Sequence, residues 1–309
     1  MNISTLAKPS APVLPARQNA LSHLRKGRIS APLRVLCYGA EGVGKSTFAA
    51  GAPRPLWLGA EGGTGHLDVD RLPEPKAWAD VLSSLSDVRR EGHDYRTLVV
   101  DPLGWLEPLC WAQVTGGKCG IDEGKDFGWG KGYLAALQLW RAMIAELDAI
   151  WTERSMAIVL LAHATIEQHP NPVGPSWPMY QPALQKLPRG SFAQWVDHVL
   201  FAQVETVALK GEGQDKRTLG QVTGVRVLHA APSGGWLAKS RGLPDVMPLA
   251  WSSLVEAEDR ATAMRAELAE LLADMPEDYA SRARVAATQP GVSLEELVNK
   301  VRTKKESMK

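Results

Sequence analysis

Apolar positions follow two rhythms along this chain, and the switches between them predict its elements. Arg34–Tyr38, Pro55–Gly59, Thr97–Asp101 and Ser155–Ala162 are short and almost continuously apolar, with Leu98, Val99 and Val100 consecutive and Met156 to Ala162 unbroken. Runs of that length read as strands buried on both faces. Lys76–Arg89 and Tyr133–Thr152 read as helices instead, the second with Leu134, Leu137, Trp140, Ile144 and Leu147 on one helical face. Buried strands joined by helices predict an α/β fold with a mostly parallel central sheet covered on both sides. Beyond it, Asp197–Leu209 and Arg217–Ala231 carry β-branched residues interrupted by Gly211, Gly213, Gly220 and Gly224, which predicts further strands with hairpin connections. Ala257–Ala273, Glu277–Ala287 and Ser293–Val301 predict helices, with Ser293 and Glu296 spaced as a capping box.

The expected organisation has three parts. Residues 1–32 form a flexible basic arm: Lys8, Arg17, Arg25, Lys26 and Arg28 occur there, no acidic residue precedes Glu41, and Leu21, Leu24 and Ile29 suit a subunit-docking element. Residues 33–255 form the α/β core and 256–309 a small helical C-terminal region. That last region holds nine basic against eleven acidic residues, which argues against a general DNA-binding module.

Composition narrows the class. The 309 residues are 45% hydrophobic and 22% charged with a net charge of +1, so bulk electrostatic coating of nucleic acid is excluded while a local basic face is not. Cys37, Cys110 and Cys119 are too scattered for a disulfide framework or a closed zinc site, and a reducing cytoplasm is the expected setting. No secretory apolar segment and no run of about 18 apolar residues occurs, so no membrane partner is expected.

The strongest chemical signal is Gly39-Ala40-Glu41-Gly42-Val43-Gly44-Lys45-Ser46-Thr47, which fits G-x-x-x-x-G-K-[ST] between a strand and a helix. Glycines let the backbone curl so that successive N–H groups face phosphate oxygens. Lys45 then reaches the β- and γ-phosphates and Ser46 ligates Mg²⁺. Asp101, ending an apolar strand, suits the same metal; Glu61, just past the second strand, suits aiming the attacking water; His163, ending the fourth, suits sensing the γ-phosphate. ATP and Mg²⁺ are the expected cofactors.

Together these residues resemble the RecA-like P-loop ATPase superfamily, and most closely the short phage single-strand annealing ATPases, phage nucleotide-binding proteins of AAA type. The matching pieces include Gly39–Thr47, Pro55–Gly63, Thr97–Asp101, Asp126–Tyr133, Ile158–Ala164, Trp195–Leu200 and Ala238–Pro244. The resemblance implies a DNA-stimulated ATPase with Glu61 as catalytic base, working in a host cytoplasm as a filament or ring. It implies that Lys239 and Arg241 complete a neighbour's ATP site, and that single-stranded DNA lies against loops. The candidate loops are Gly116–Gly132, with Lys118, Lys125, Trp129 and Lys131 beside Tyr133, and Thr165–Gly190, with Lys186 and Arg189. A single-stranded-DNA-binding protein is a further expected partner. A helicase-like motor or loader, and a nucleotide-gated adaptor that does not hydrolyse ATP, are the alternatives.

Overall fold

The computed structural model describes residues 31–59, 65–210, 218–289 and 292–308. Residues 1–30 of the expected basic arm, and Glu61, lie outside the described residues. Strand β1 (Arg34–Gly39) enters the phosphate loop, and helix α1 (Lys45–Ala50) leaves it. Then come β2 (Pro55–Gly59), β3 (Asp70–Arg71), α2 (Trp78–Arg90) and β4 (Thr97–Asp101). A 3-10 turn (Leu103–Leu106) leads into α3 (Glu107–Thr115), α4 (Gly124–Phe127) and the long α5 (Lys131–Arg154). The chain continues through β5 (Ala157–His169), β6 (Trp177–Pro182), α6 (Lys186–Trp195), β7 (His198–Lys210), β8 (Thr218–His229) and β9 (Val246–Pro248). It closes with α7 (Trp251–Leu272), α8 (Glu277–Ala286) and α9 (Leu294–Glu306).

The sheet runs β3-β2-β4-β5-β1-β7-β8-β9, parallel from β3 to β7 and antiparallel from β7 to β9. This is the expected α/β fold with a mostly parallel sheet. Its side chains alternate between two cores, as the pleat requires. Leu36, Tyr38, Leu98, Val100, Ile158 and Leu160 face α2, α3, α5 and α6; Val35, Cys37, Val99, Val159 and Leu161 face α1 and α7. Trp140 anchors the first core, fully buried and edge-on to Trp78 (4.9 Å between centroids) and Phe192 (5.6 Å). Phe48 of α1 meets Trp251 of α7 at 5.6 Å in the second. So α7 begins inside the core, ahead of residue 256, and carries on into a third cluster with Leu268, Leu272, Ala280, Ala283, Val298 and Val301. His198 at the foot of β7, almost fully buried, meets Glu258 of α7 at 3.0 Å and fixes that helix to the sheet.

The expected loop Thr165–Gly190 is largely regular structure. Strand β5 outruns its buried half, and Ala164–His169 pairs antiparallel with Trp177–Pro182 to make a hairpin beyond the sheet edge. Alternation of Ile166 and Gln168 with Thr165 and Glu167, too polar to read as a buried strand, is satisfied by this local pairing. The residues after it form α6, whose Pro188 sits in the first turn, where a missing N–H costs nothing.

Candidate functional site

The carboxyl edge of the sheet builds the site. Gly39, last in β1, stands level with His163 of β5 on one side and Ala202 of β7 on the other. A Cβ at Gly39 would lie 2.3 Å from the Ala202 carbonyl oxygen, so only glycine lets β1 approach β7 so closely here. Gly42 (φ 68°) and Gly44 (φ 106°) occupy the left-handed region and curl Ala40–Gly44 over the edge. Val43 is buried and pins the loop; Glu41 and Thr47 are exposed.

Lys45 is buried, with Nζ 3.0 Å from the Gly39 carbonyl and 2.8 Å from the Ala40 carbonyl, so its charge is held at the floor of the loop. Ser46 donates from Oγ to Asp101 Oδ2 at 2.8 Å. This hydroxyl and carboxylate reach the same point from α1 and from the end of β4, the oxygen-only pair that Mg²⁺ prefers. A cavity of about 360 Å³ opens above them, lined by Glu41, Gly42, Gly44, Lys45, Ser46, Thr47, His66, Asp101, Pro102 and His163. The curled backbone, the floor cation and the hydroxyl–carboxylate pair all fit a magnesium triphosphate. Among the described residues no cluster of three His, Cys, Asp or Glu could hold a metal; phosphate and water oxygens commonly complete the shell of Mg²⁺. Directly beneath, burial pushes the Cys37 thiol up to about 12 despite the pull of Lys45, so it stays neutral and inert.

The expected residues Gly39–Thr47, Asp101 and His163 thus converge, and His66 joins them unforeseen: it follows the second strand but has no motif around it. Tyr38, one residue before the cradle, donates its hydroxyl to the carbonyls of Leu237 (2.7 Å) and Tyr180 (3.1 Å), and burial holds its phenol well above the usual range.

The expected interface cations separate. Lys239 Nζ donates to the carbonyls of Val196 (2.6 Å), Ala193 (2.9 Å) and Gln194 (3.1 Å), capping the end of α6. Burial, with help from nearby Arg241, lowers its pKa. Arg241 is exposed, its backbone carbonyl held by Arg265.

The expected DNA contacts separate as well. Arg189 corrects the sequence reading: it is 5% exposed, and its guanidinium grips Glu167 with both nitrogens at 2.7 Å and the Pro182 carbonyl at 3.3 Å. Contact with a solvated phosphate is excluded by that burial, and the residue fastens the hairpin to α6. Tyr133 is half-buried, edge-on to Trp111 at 6.0 Å, so its ring is a packing element. Lys118, Lys125, Lys131 and Lys186 are exposed. Trp129 is 99% exposed and holds φ at 61°, a conformation that costs a bulky residue energy. Its loop, residues 116–130, precedes α5, which runs down to the start of β5; the loop therefore lies at the same sheet edge as the cradle.

A family model described as an AAA domain matches residues 31–242. No curated protein matches. Among solved structures, the crystal structure of the RadB recombinase aligns at 12% identity over 68% of this chain and 91% of that one, with a TM-score of 0.36, too slight a likeness to bear on function. Among the described residues no helix is long and apolar enough to cross a membrane. The stretch from the first strand to the Lys239–Gly242 turn is thus an AAA domain with an ATP-binding P-loop, and the chain belongs to that family.

Proposed function

We propose that this protein is a DNA-stimulated ATPase that assembles on single-stranded DNA, hydrolyses ATP at subunit interfaces and promotes annealing or strand pairing. The observation that carries the reading is Trp129, held fully in solvent at an unfavourable φ between Lys125 and Lys131, on the edge that also bears the phosphate loop. A strained, exposed indole has no packing purpose, whereas an aromatic face among lysines suits unpaired bases on a phosphate backbone. Lys118 and Lys186 are exposed as well, while exposed Asp122, Glu123 and Asp126 offset the three lysines of the Trp129 loop, so stacking on the indole and repetition along an assembly carry the binding.

In this reading Lys45 neutralises the β- and γ-oxygens, while Ser46 and Asp101 hold Mg²⁺. The metal, when bound, draws charge off the transferring phosphoryl group. Glu61 aims the water, and His163 registers the γ-phosphate and passes its presence up β5 into the hairpin. Arg241, exposed, is the cation that reaches a neighbour's phosphate, and its arrival in trans makes turnover depend on assembly. Lys239 supports Arg241 by anchoring the segment that carries it.

The test is the affinity for labelled single-stranded DNA with a nonhydrolysable ATP analogue, alongside electron microscopy of the complexes. Trp129→Ala is expected to weaken binding roughly 5- to 100-fold, the worth of one base stack, and to thin out filaments or rings. Binding and assembly equal to wild type would refute the reading. Unwinding of a tailed duplex would replace it with a motor.

A further inference from the structure

The cradle has a second flank. Asp101 and His163 stand on the β4–β5 side of β1, and they mark where the metal and the γ-phosphate lie. A triphosphate anchored at that end has its nucleoside to place elsewhere, and the side of the loop facing β7 and β8 is open to it.

What waits there is Arg226. In β8 it opposes Val204, two residues past the Ala202–Leu228 pair that stands level with Gly39. Two strand residues lift it roughly 7 Å above the sheet edge, to the height of the curled loop. The pleat puts Arg226 on the same face as Leu228, which is buried in the core shared with α1. Its stem therefore reaches the start of α1. A Cβ built at Gly44 would lie 3.6 Å from Arg226 Cδ, 3.9 Å from its Nε and 3.5 Å from Leu249 Cδ2. Leu249 is tied to the same level by its N–H, which donates to the Arg226 carbonyl at 3.0 Å. Arg226 is exposed while Leu249 packs on the core. A planar cation and an apolar side chain thus stand together beside the last glycine of the loop.

We propose that Arg226 and Leu249 form the nucleoside subsite: the guanidinium lies flat over the purine ring and Leu249 supplies the apolar floor. Guanidinium planes stack well on aromatic faces, whereas a lysine in the same place offers only a point charge. The inference rests on the ATP-binding loop and is independent of the DNA reading.

The experiment is calorimetric titration of the full chain with two ligands, MgATP and magnesium tripolyphosphate, which share their phosphates and differ in the nucleoside. Arg226→Ala is expected to weaken ATP roughly 3- to 30-fold and to leave tripolyphosphate unchanged. Arg226→Lys is expected to behave like the alanine variant, because charge without the plane cannot stack. Both should melt like wild type, since the residue is exposed. Unchanged ATP affinity overturns the proposal. Equal losses for both ligands overturn it too, making Arg226 a phosphate cation, as does full rescue by lysine. Lys45→Ala is the control, expected to lose both ligands. A wild type that binds neither would overturn the ATP-binding loop itself, and a wild type that binds DNA normally with Arg226→Ala unaltered for ATP would remove only the nucleoside subsite.

Discussion

Removing the Lys239 side chain tests whether this residue is a fastening of its own subunit. Lys239→Ala deletes an ammonium that three carbonyls share at 2.6–3.1 Å. The carbonyls differ in what they can recover. Gln194 is exposed and Ala193 half-buried, so water can replace the lost donor there; Val196 is 1% exposed, so its carbonyl is left without a charged partner. One buried orphan costs about 1–3 kcal/mol, and two partly hydrated bonds add a few tenths to about 1 kcal/mol more. The sum is about 1–4 kcal/mol, offset slightly because burial already disfavours the charge. For a chain of this size that is roughly a 2–6 °C fall in melting temperature. Thermal unfolding followed by circular dichroism reads it directly. Arg241→Ala is the companion: it should melt like wild type and lose assembly-dependent turnover. If Lys239→Ala melts like wild type and loses only turnover in mixed assemblies, the capping argument is wrong and both cations act in trans.

Two further outcomes follow from named contacts. The Arg189 guanidinium bonded to Glu167 holds that carboxyl below the usual range, so the pair stabilises the fold above the unfolded carboxylate value, about pH 4, and the contribution disappears as pH falls through the lower, folded value. Urea midpoints measured from pH 6 down to 3 should therefore drop more steeply for wild type than for Glu167→Gln; parallel curves would contradict the assignment. Gly39→Ala puts a Cβ 2.3 Å from the Ala202 carbonyl oxygen and forces β1 and β7 apart, with an expected loss of about 1–3 kcal/mol and weakened MgATP binding by calorimetry, and wild-type affinity would show that the approach of the strands is not needed.

Pro55–Gly59 and Thr97–Asp101 match their expected bounds because strands buried on both faces need only local apolar continuity. The phosphate loop was equally legible, since its chemistry is written in consecutive residues. Strand β6 was not, because Pro178 and Pro182 argue against a strand and only the pairing partner in β5 admits them. Arg189 was misread, and the intrasubunit contacts of Lys239 went unannounced, for a common reason. A basic residue's sequence neighbours do not reveal whether it meets solvent or a carbonyl three elements away. Arg226 carries no motif at all; its position beside Gly44 arises only from the β7–β8 register.

The bond pattern of Tyr38 has a mechanical consequence. A single hydroxyl on the strand that feeds the phosphate loop grips the returning arm of the hairpin at Tyr180 and the run leading to Lys239 at Leu237. Neither can tilt away from the sheet without breaking a contact one residue from Gly39. The one hydroxyl proton is shared between the two carbonyls, so displacing either changes its bond to the other, one residue before the phosphate loop.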